Sequence, residues 1–233
     1  MVFFARKLVN KIYLTKDTVQ LDFEKGDFDF KAGQFITVSV PGDGVPIARS
    51  YSIASSPHET DFFSLCVKVV PNGKGSNYLT SLEPGEQVKF EGPFGTFIID
   101  SNNSKKDLVF VATGVGIAPF MSMILDLSQR GDERKISLYF GVRHSEDLFY
   151  KDILEKLAQE NSNLKLFISL SQPEANWSGL KGRVTEHFDD LDMANSDFYI
   201  CGNGDAVKNI YTLLKQKGAV RECLHVEQFT PIG

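Results

Sequence analysis

The chain has 233 residues, 42% hydrophobic and 24% charged, the composition of a folded globular protein with one large domain or two of about 100 residues each. The net charge is −5 and the pI about 5.4, spread as −2 over residues 1–100 and −3 over residues 101–233, so no nucleic acid is expected as a partner through bulk electrostatics. Three cysteines (Cys66, Cys201 and Cys223) without a CxxC spacing argue against a cysteine-ligated iron–sulfur cluster and read as reduced thiols of a cytoplasmic protein. Histidines at 58, 144, 187 and 225 have no metal-ligand spacing. The first seven residues lack a secretory h-region, and no apolar run approaches about 18 residues, so no membrane span is expected.

In chain order, the first hundred residues read as short strands rich in β-branched and aromatic residues: 8–14, 19–23, 34–40, 50–54, 62–70 and 87–92. Turn signals separate them, among them Lys25-Gly26-Asp27, Pro41-Gly42-Asp43-Gly44 and Glu83-Pro84-Gly85. This spacing predicts an antiparallel β-barrel domain over 1–100. Residues 76–82 lack alternation, open on Ser76 and close before Glu-Pro-Gly, which predicts a short helix. The polar stretch 101–106 reads as a linker. Beyond it the rhythm changes to strands near 108–112, 136–140, 165–170 and 197–201. Helices alternate with them at 119–130, 146–160, 184–188 and 205–217. Strands alternating with helices predict a second, α/β domain over 107–233 with a parallel sheet covered on both faces.

Four stretches carry chemistry. In Arg49-Ser50-Tyr51-Ser52, strand periodicity places the Arg and the Tyr on one face, where a cation suits a pyrophosphate and a flat ring suits a ring system. The same spacing also fits a plain barrel strand with an exposed Arg and a packed Tyr. Gly73-Lys74-Gly75-Ser76 feeds a helix start, so backbone N–H groups are available to an anion; an ordinary capped loop reads the same way. Gly114-Val115-Gly116-Ile117-Ala118-Pro119 follows an apolar strand and opens a helix, the context of a dinucleotide phosphate site. Tyr199-Ile200-Cys201-Gly202 ends a strand at the sheet's carboxyl edge, where ligands bind in open α/β folds; taken alone, Cys201 reads as a buried packing residue, as free cysteines usually are.

Taken in order, Arg49-x-Tyr51-Ser52, Leu65-Cys66-Val67-Lys68, Gly73-x-x-Ser76, Val111 to Phe120, Tyr199 to Gly202 and Val226-Glu227-Gln228-Phe229 resemble the ferredoxin–NADP(+) reductase family over essentially the whole chain. The resemblance implies an FAD-binding barrel and an NAD(P)-binding α/β domain. It assigns FAD contacts to Arg49, Tyr51, Ser52, Cys66, Val67, Lys68, Gly75, Ser76 and Phe229, with residues 66–68 acting largely through their backbone. It assigns the nicotinamide nucleotide to Thr113, Gly114, Gly116, Pro119, Cys201 and Gly202. It makes Ser52, Cys201 and Glu227 the catalytic set. Arg143, Ser171 and Arg183 are further candidates for the nucleotide.

Two departures from the family pattern matter. The chain continues through Thr230-Pro231-Ile232-Gly233 past the aromatic Phe229, and Gln172 stands where NADP-using relatives commonly carry Arg. An Arg fork suits a ribose 2′-phosphate, so its absence favours NADH over NADPH as substrate, although Lys181 and Arg183 lie downstream. The implied activity is transfer of electrons from NAD(P)H through FAD to a soluble carrier protein: a ferredoxin, a flavodoxin or an oxygenase component. A flavin mediates because a nicotinamide releases its two electrons together, whereas such carriers take one. An NAD(P)H:flavin reductase and a non-catalytic electron-transfer subunit are the alternatives.

Overall fold

A computed structural model describes residues 2–42, 44–99 and 106–229. They form two compact units: residues up to Ile99 together with Ala118–Arg130, and residues 106–117 with 131–229.

The first unit is a six-stranded antiparallel sheet of β1 (Val2–Tyr13), β2 (Thr18–Glu24), β3 (Phe35–Val40), β4 (Ile47–Ser52), β5 (Phe62–Lys68) and β6 (Gln87–Phe94), in the order β4-β3-β6-β1-β2-β5. The two edge strands meet at the bridge Ile53↔Leu65 and at the Ala54 N–H to Ser64 C=O bond of 2.8 Å, which curls the sheet into a barrel. Alternation drives this curl. Val19, Leu21 and Phe23 of β2, with Phe63, Leu65 and Val67 of β5, turn inward and are almost wholly buried. The centre is aromatic, with Phe23, Phe63 and Phe90 at centroid separations of 4.9–5.7 Å. On the opposite face of β2, the buried Asp22 carboxylate accepts from Ser64 Oγ (2.6 Å), Gln20 Nε2 (2.8 Å) and Asn10 Nδ2 (3.3 Å), stitching β1, β2 and β5 together. Helix α1 (Lys74–Ser81) lies between β5 and β6 in sequence, and helix α2 (Ala118–Gln129) packs with this unit. His58 Nε2 is 2.9 Å from Asp126 Oδ1 of α2, and Ser56 Oγ donates to Gln129 Oε1.

The second unit is a parallel sheet of β7 (Asp107–Thr113), β8 (Ile136–Val142), β9 (Leu164–Leu170), β10 (Leu180–Lys181), β11 (Ser196–Asn203) and β12 (Leu224–Phe229), in the order β10-β9-β8-β7-β11-β12. Helices α3 (Lys151–Glu160) and α4 (Gly204–Gln216) complete it. Leu108 to Ala112 of β7 are buried on both faces, as a central parallel strand requires. From β7 the chain builds outward to β8 and β9, then returns to place β11 on the other flank. The order therefore reverses between β7 and β11, and in open α/β sheets ligands bind at the carboxyl ends of strands at such a reversal.

The two fold types follow the sequence reading, but several elements differ from it. Strand β1 begins at Val2 rather than Leu8. Its first half pairs with β6 and its second with β2, with a bulge between Leu8 and Asn10 at the change of partner. Strand β4 begins at Ile47, and α1 at Lys74. The helix expected over 146–160 is a 3₁₀ turn (Ser145–Asp147) followed by α3, because Phe149 is drawn into the core and Tyr150 takes a left-handed conformation (φ 60°) that breaks the helix. The helix expected at 184–188 is a 3₁₀ turn, Val184–His187. Strands β10 and β12 were not anticipated. Of the expected linker only Lys106 falls within the described residues, and the tail after Phe229 lies outside them. Among the described residues no helix is long and apolar enough to cross a membrane, and no group of three or more His, Cys, Asp or Glu is placed to hold a metal ion.

Candidate cofactor and nucleotide sites

On the first unit, β4 alternates so that Arg49 and Tyr51 are partly buried while Ala48 and Ser50 face solvent. The start of α1 rests against this pair. A Cβ at Gly75 would lie 2.6 Å from Tyr51 Oη and 2.8 Å from Arg49 Cγ, so only glycine lets the helix come this close. Arg49 Nη1 donates to the Ala48 carbonyl (2.9 Å), whereas Arg49 Nε is buried with no hydrogen-bond partner among the described residues. A buried cationic donor left unpaired costs about 1–3 kcal/mol, and an anionic ligand removes that cost. Burial, only partly opposed by the nearby Arg49 charge, pushes the Tyr51 phenol up to about 12, so the ring stays neutral. Ser52 is buried at the end of the strand, opposite Phe35.

Helix α1 has no side-chain N-cap. Ser76 Oγ instead accepts from Val70 N–H (3.1 Å) and lies 3.3 Å from the Gly73 carbonyl, so this hydroxyl braces the turn below the helix. Helix geometry leaves the first-turn amides of residues 74–76 without intrahelical acceptors. The site therefore offers backbone N–H groups and a guanidinium, both suited to a phosphate. Strand β5 is last in the strand order, and among the described residues the pairing on its outer side is the bridge at Leu65, ahead of Cys66, Val67 and Lys68. The Val67 side chain is in the barrel core and Lys68 Nζ is paired with Asp17 (3.1 Å), so contacts here fall to the backbone.

On the second unit, the sequence-predicted nucleotide residues gather at one edge because every strand of the sheet points the same way. Thr113 ends β7, and Gly114 opens a 3₁₀ turn (Gly114–Ile117) that runs into α2, with Pro119 in the first turn of that helix. Gly114 has φ 53° and no atom within 4 Å of its missing Cβ, so the backbone there borders open space. Gly116 is the opposite case. A Cβ would fall on the Cys201 carbonyl group, 2.5 Å from its carbon and 2.6 Å from Gly202 Cα. Thr113 Oγ1 is buried without a hydrogen-bond partner among the described residues, and a Cβ at Gly202 would occupy its place. The Thr113 hydroxyl and a closely packed glycine turn thus meet where the strand order reverses.

Cys201 lies opposite Glu227 in the β11–β12 register, so the two side chains share one face of the sheet. Burial first, then the Glu227 carboxylate, push the Cys201 thiol well above its ordinary range, against a smaller opposing effect of the Gly202 amide. The residue is therefore a neutral S–H, suited to packing or weak donation and not to nucleophilic attack. Phe229 ends β12 opposite Asn203. Arg143, Ser171 and Arg183 are exposed just past the ends of β8, β9 and β10. Sequence reasoning missed β12, although Leu224 to Phe229 alternate in burial. It also missed Glu174, whose carboxylate accepts from Ser145 N–H (3.3 Å) and joins the loops after β8 and β9.

The family description "Oxidoreductase FAD-binding domain" matches residues 6–99, and "Oxidoreductase NAD-binding domain" matches residues 110–210. Ferredoxin–NADP reductase B of Sorangium cellulosum is 35% identical over 238 aligned positions, covering 97% of each chain. The reductase component DmpP of phenol 2-monooxygenase from Pseudomonas sp. is 32% identical over 208 positions, 86% of this chain and 58% of that one, so the chain spans little more than half of that relative. The fold of a Neisseria gonorrhoeae ferredoxin NADP+ reductase, solved with bound FAD and NADP, superposes with a TM-score of 0.87 at 24% identity, covering 97% of this chain and 98% of that one.

Proposed function

This chain belongs to the ferredoxin–NADP(+) reductase family, and on that premise we propose that it takes electrons from a nicotinamide nucleotide into FAD and hands them singly to a separate carrier protein. Its FAD-binding and NAD-binding domains make it an NAD(P)H-dependent flavoprotein reductase. The observation that carries the reading is that each unit keeps, among the described residues, a buried polar atom without a hydrogen-bond partner where its ligand would lie: Arg49 Nε in one and Thr113 Oγ1 in the other. When bound, FAD supplies the chemistry, accepting two electrons together from a reduced nicotinamide and releasing them one at a time.

The chain's own residues bind, orient and exclude water. Arg49 and the amides of Lys74, Gly75 and Ser76 hold the FAD pyrophosphate. Tyr51 offers its neutral ring to the flavin, Ser52 a buried hydroxyl, and Cys66, Val67 and Lys68 their backbone at the sheet's edge strand. Thr113, Gly114 and Gly116, followed by Pro119 at the start of α2, form the turn that receives the nucleotide's pyrophosphate. Arg143, Ser171 and Arg183 line the edge on the β8–β10 side. Cys201 and Gly202 sit on the β11 side, with Glu227 opposite Cys201 holding negative charge beside it and Phe229 closing β12.

The carrier is a ferredoxin, a flavodoxin or an oxygenase component. This assignment is supported by relatives named as a ferredoxin–NADP reductase and as a monooxygenase reductase component. Three cysteines, none of them in a disulfide among the described residues, support a cytoplasmic setting. Turnover with NADH and either ferricyanide or a one-electron carrier is expected at about 1–1000 per second, in the ordinary enzyme range. Free riboflavin as acceptor is expected to support less than about a tenth of that. A preference for free riboflavin, with no FAD retained through gel filtration, would replace this reading with a flavin reductase.

A further inference from the structure

At the amino edge of the parallel sheet, opposite the glycine turn, an amine meets a thiol. Lys106 stands immediately before β7, and Cys223 closes a 3₁₀ turn (Arg221–Cys223) that leads into β12. Strands β7 and β12 flank β11 and run parallel to it, so the two residues lie at the same end of the sheet although 117 positions apart in the chain. Lys106 Nζ is 2.8 Å from Cys223 Sγ. That is inside the separation of about 3–3.5 Å from which well-placed groups react. Cys223 is buried, but Val220, Arg221 and Glu222 beside it are exposed and Lys106 is partly so.

The two groups are coupled electrostatically. The hydrogen bond to Cys223 holds the Lys106 ammonium above its ordinary range, against a smaller effect of burial, and the charges of Cys223 and Asp197 add to it. Cys201 is different, since burial and Glu227 keep it a neutral S–H. At Cys223 a cation touches the sulfur, and an adjoining Lys is a feature of oxidisable cysteines.

We propose that Cys223 and Lys106 close into a covalent bridge when the protein meets hydrogen peroxide. The sulfur, as thiolate, attacks a peroxide oxygen; the O–O bond breaks, a sulfenic acid forms and hydroxide leaves. The hydroxide takes a proton from the adjacent ammonium and becomes water. The same oxidation removes the thiolate charge that held that proton. The freed amine then attacks the sulfenic sulfur, an S–N bond replaces the S–OH bond, and a second water leaves, as when sulfenic acids condense with a backbone nitrogen. One thiol, one amine and one peroxide thus give one S–N bridge and two waters, with two electrons passing from sulfur to peroxide. A dithiol reverses the bridge, regenerating thiol and amine and itself becoming a disulfide. Neither flavin nor nicotinamide takes part, so this inference stands apart from the reductase reading. The bridge staples the start of β7 to the entry of β12 and closes a 117-residue span, which restricts the unfolded chain.

The test treats the full-length protein with hydrogen peroxide and reads intact mass, tryptic peptides and the thermal midpoint. The wild type is expected to lose about 2 Da, the two hydrogens removed. It should yield a cross-linked pair of peptides, 106–130 and 222–233, because the bridge blocks cleavage after Lys106. The midpoint should rise by about 5–10 °C, and dithiothreitol should undo all three changes. Cys223→Ser and Lys106→Arg should each abolish the link and the rise. Lys106→Arg keeps the positive charge at a partly exposed position, so it isolates the amine's part even if Cys223→Ser fails to fold. Cys223 recovered as a thiol, sulfenic acid or sulfinic acid without a link to Lys106 would overturn the inference, as would an equal midpoint rise in Lys106→Arg.

Discussion

Replacing Arg49 with alanine is expected to weaken FAD binding about 100-fold while the barrel stays folded. Charge-assisted hydrogen bonds are each worth about 1.5–3 kcal/mol and every 1.4 kcal/mol is tenfold in affinity, so losing one or two such bonds accounts for that factor. The barrel does not need this side chain for its core. Arg49 lies outside the Phe23–Phe63–Phe90 cluster, and its Nε has no partner among the described residues. Removing a buried unsatisfied donor even relieves the ligand-free protein. Arg49→Lys is expected to recover only part of the affinity, because an ammonium lacks the planar fork that meets a phosphate in two places. Fluorescence titration of the ligand-free variants with FAD, and thermal melts without it, check both halves. Unchanged FAD affinity in Arg49→Ala would remove this residue from the site.

Gly116→Ala is expected to lower kcat/KM for the nicotinamide nucleotide about 100-fold with FAD content preserved. The added Cβ meets backbone, the Cys201 carbonyl group and Gly202 Cα, which cannot swing aside as a side-chain tip can. The turn after β7 must move away from the end of β11, at a cost of about 1–3 kcal/mol in that unit. The same movement displaces the amides offered to the pyrophosphate, where small misplacements cost about 100-fold. Retention of FAD matters to the interpretation, since Gly75 and Arg49 lie in the other unit. Steady-state kinetics and the flavin-to-protein absorbance ratio give the two readings. A normal kcat/KM in Gly116→Ala would show that this contact does not shape the nucleotide site.

The barrel was legible where side chains alternate strictly. Val19, Leu21 and Phe23 alternate with polar residues and are the inner face of β2. Strand β1 was read six residues short, because Arg6 and Lys7 interrupt its apolar pattern and tertiary pairing with β6 carries the strand through them. Leu148 and Phe149 made residues 146–160 look like one helix, and a left-handed Tyr150 that no local signal announces divides it. Strand β12 escaped notice because it is an edge, with Val226 41% exposed, so its alternation lacks a strongly apolar face.

The site divides in the same way. Period two was enough to put Arg49 and Tyr51 on one face, and the glycine turns were visible as turns. That Gly75 and Gly116 are glycines because another element presses on them was not visible, since the pressing atoms come from distant segments. Nor was the clamp between Ser145 and Glu174, which depends on the parallel register of β8 and β9 and has no local pattern.

Anaerobic addition of stoichiometric NADH to the purified protein, followed through the visible flavin band, addresses the whole scheme in one cuvette. A yellow protein whose band bleaches within seconds and returns when ferricyanide is added is expected. A protein that stays colourless after incubation with FAD, or a yellow one whose band survives both NADH and NADPH, would contradict it.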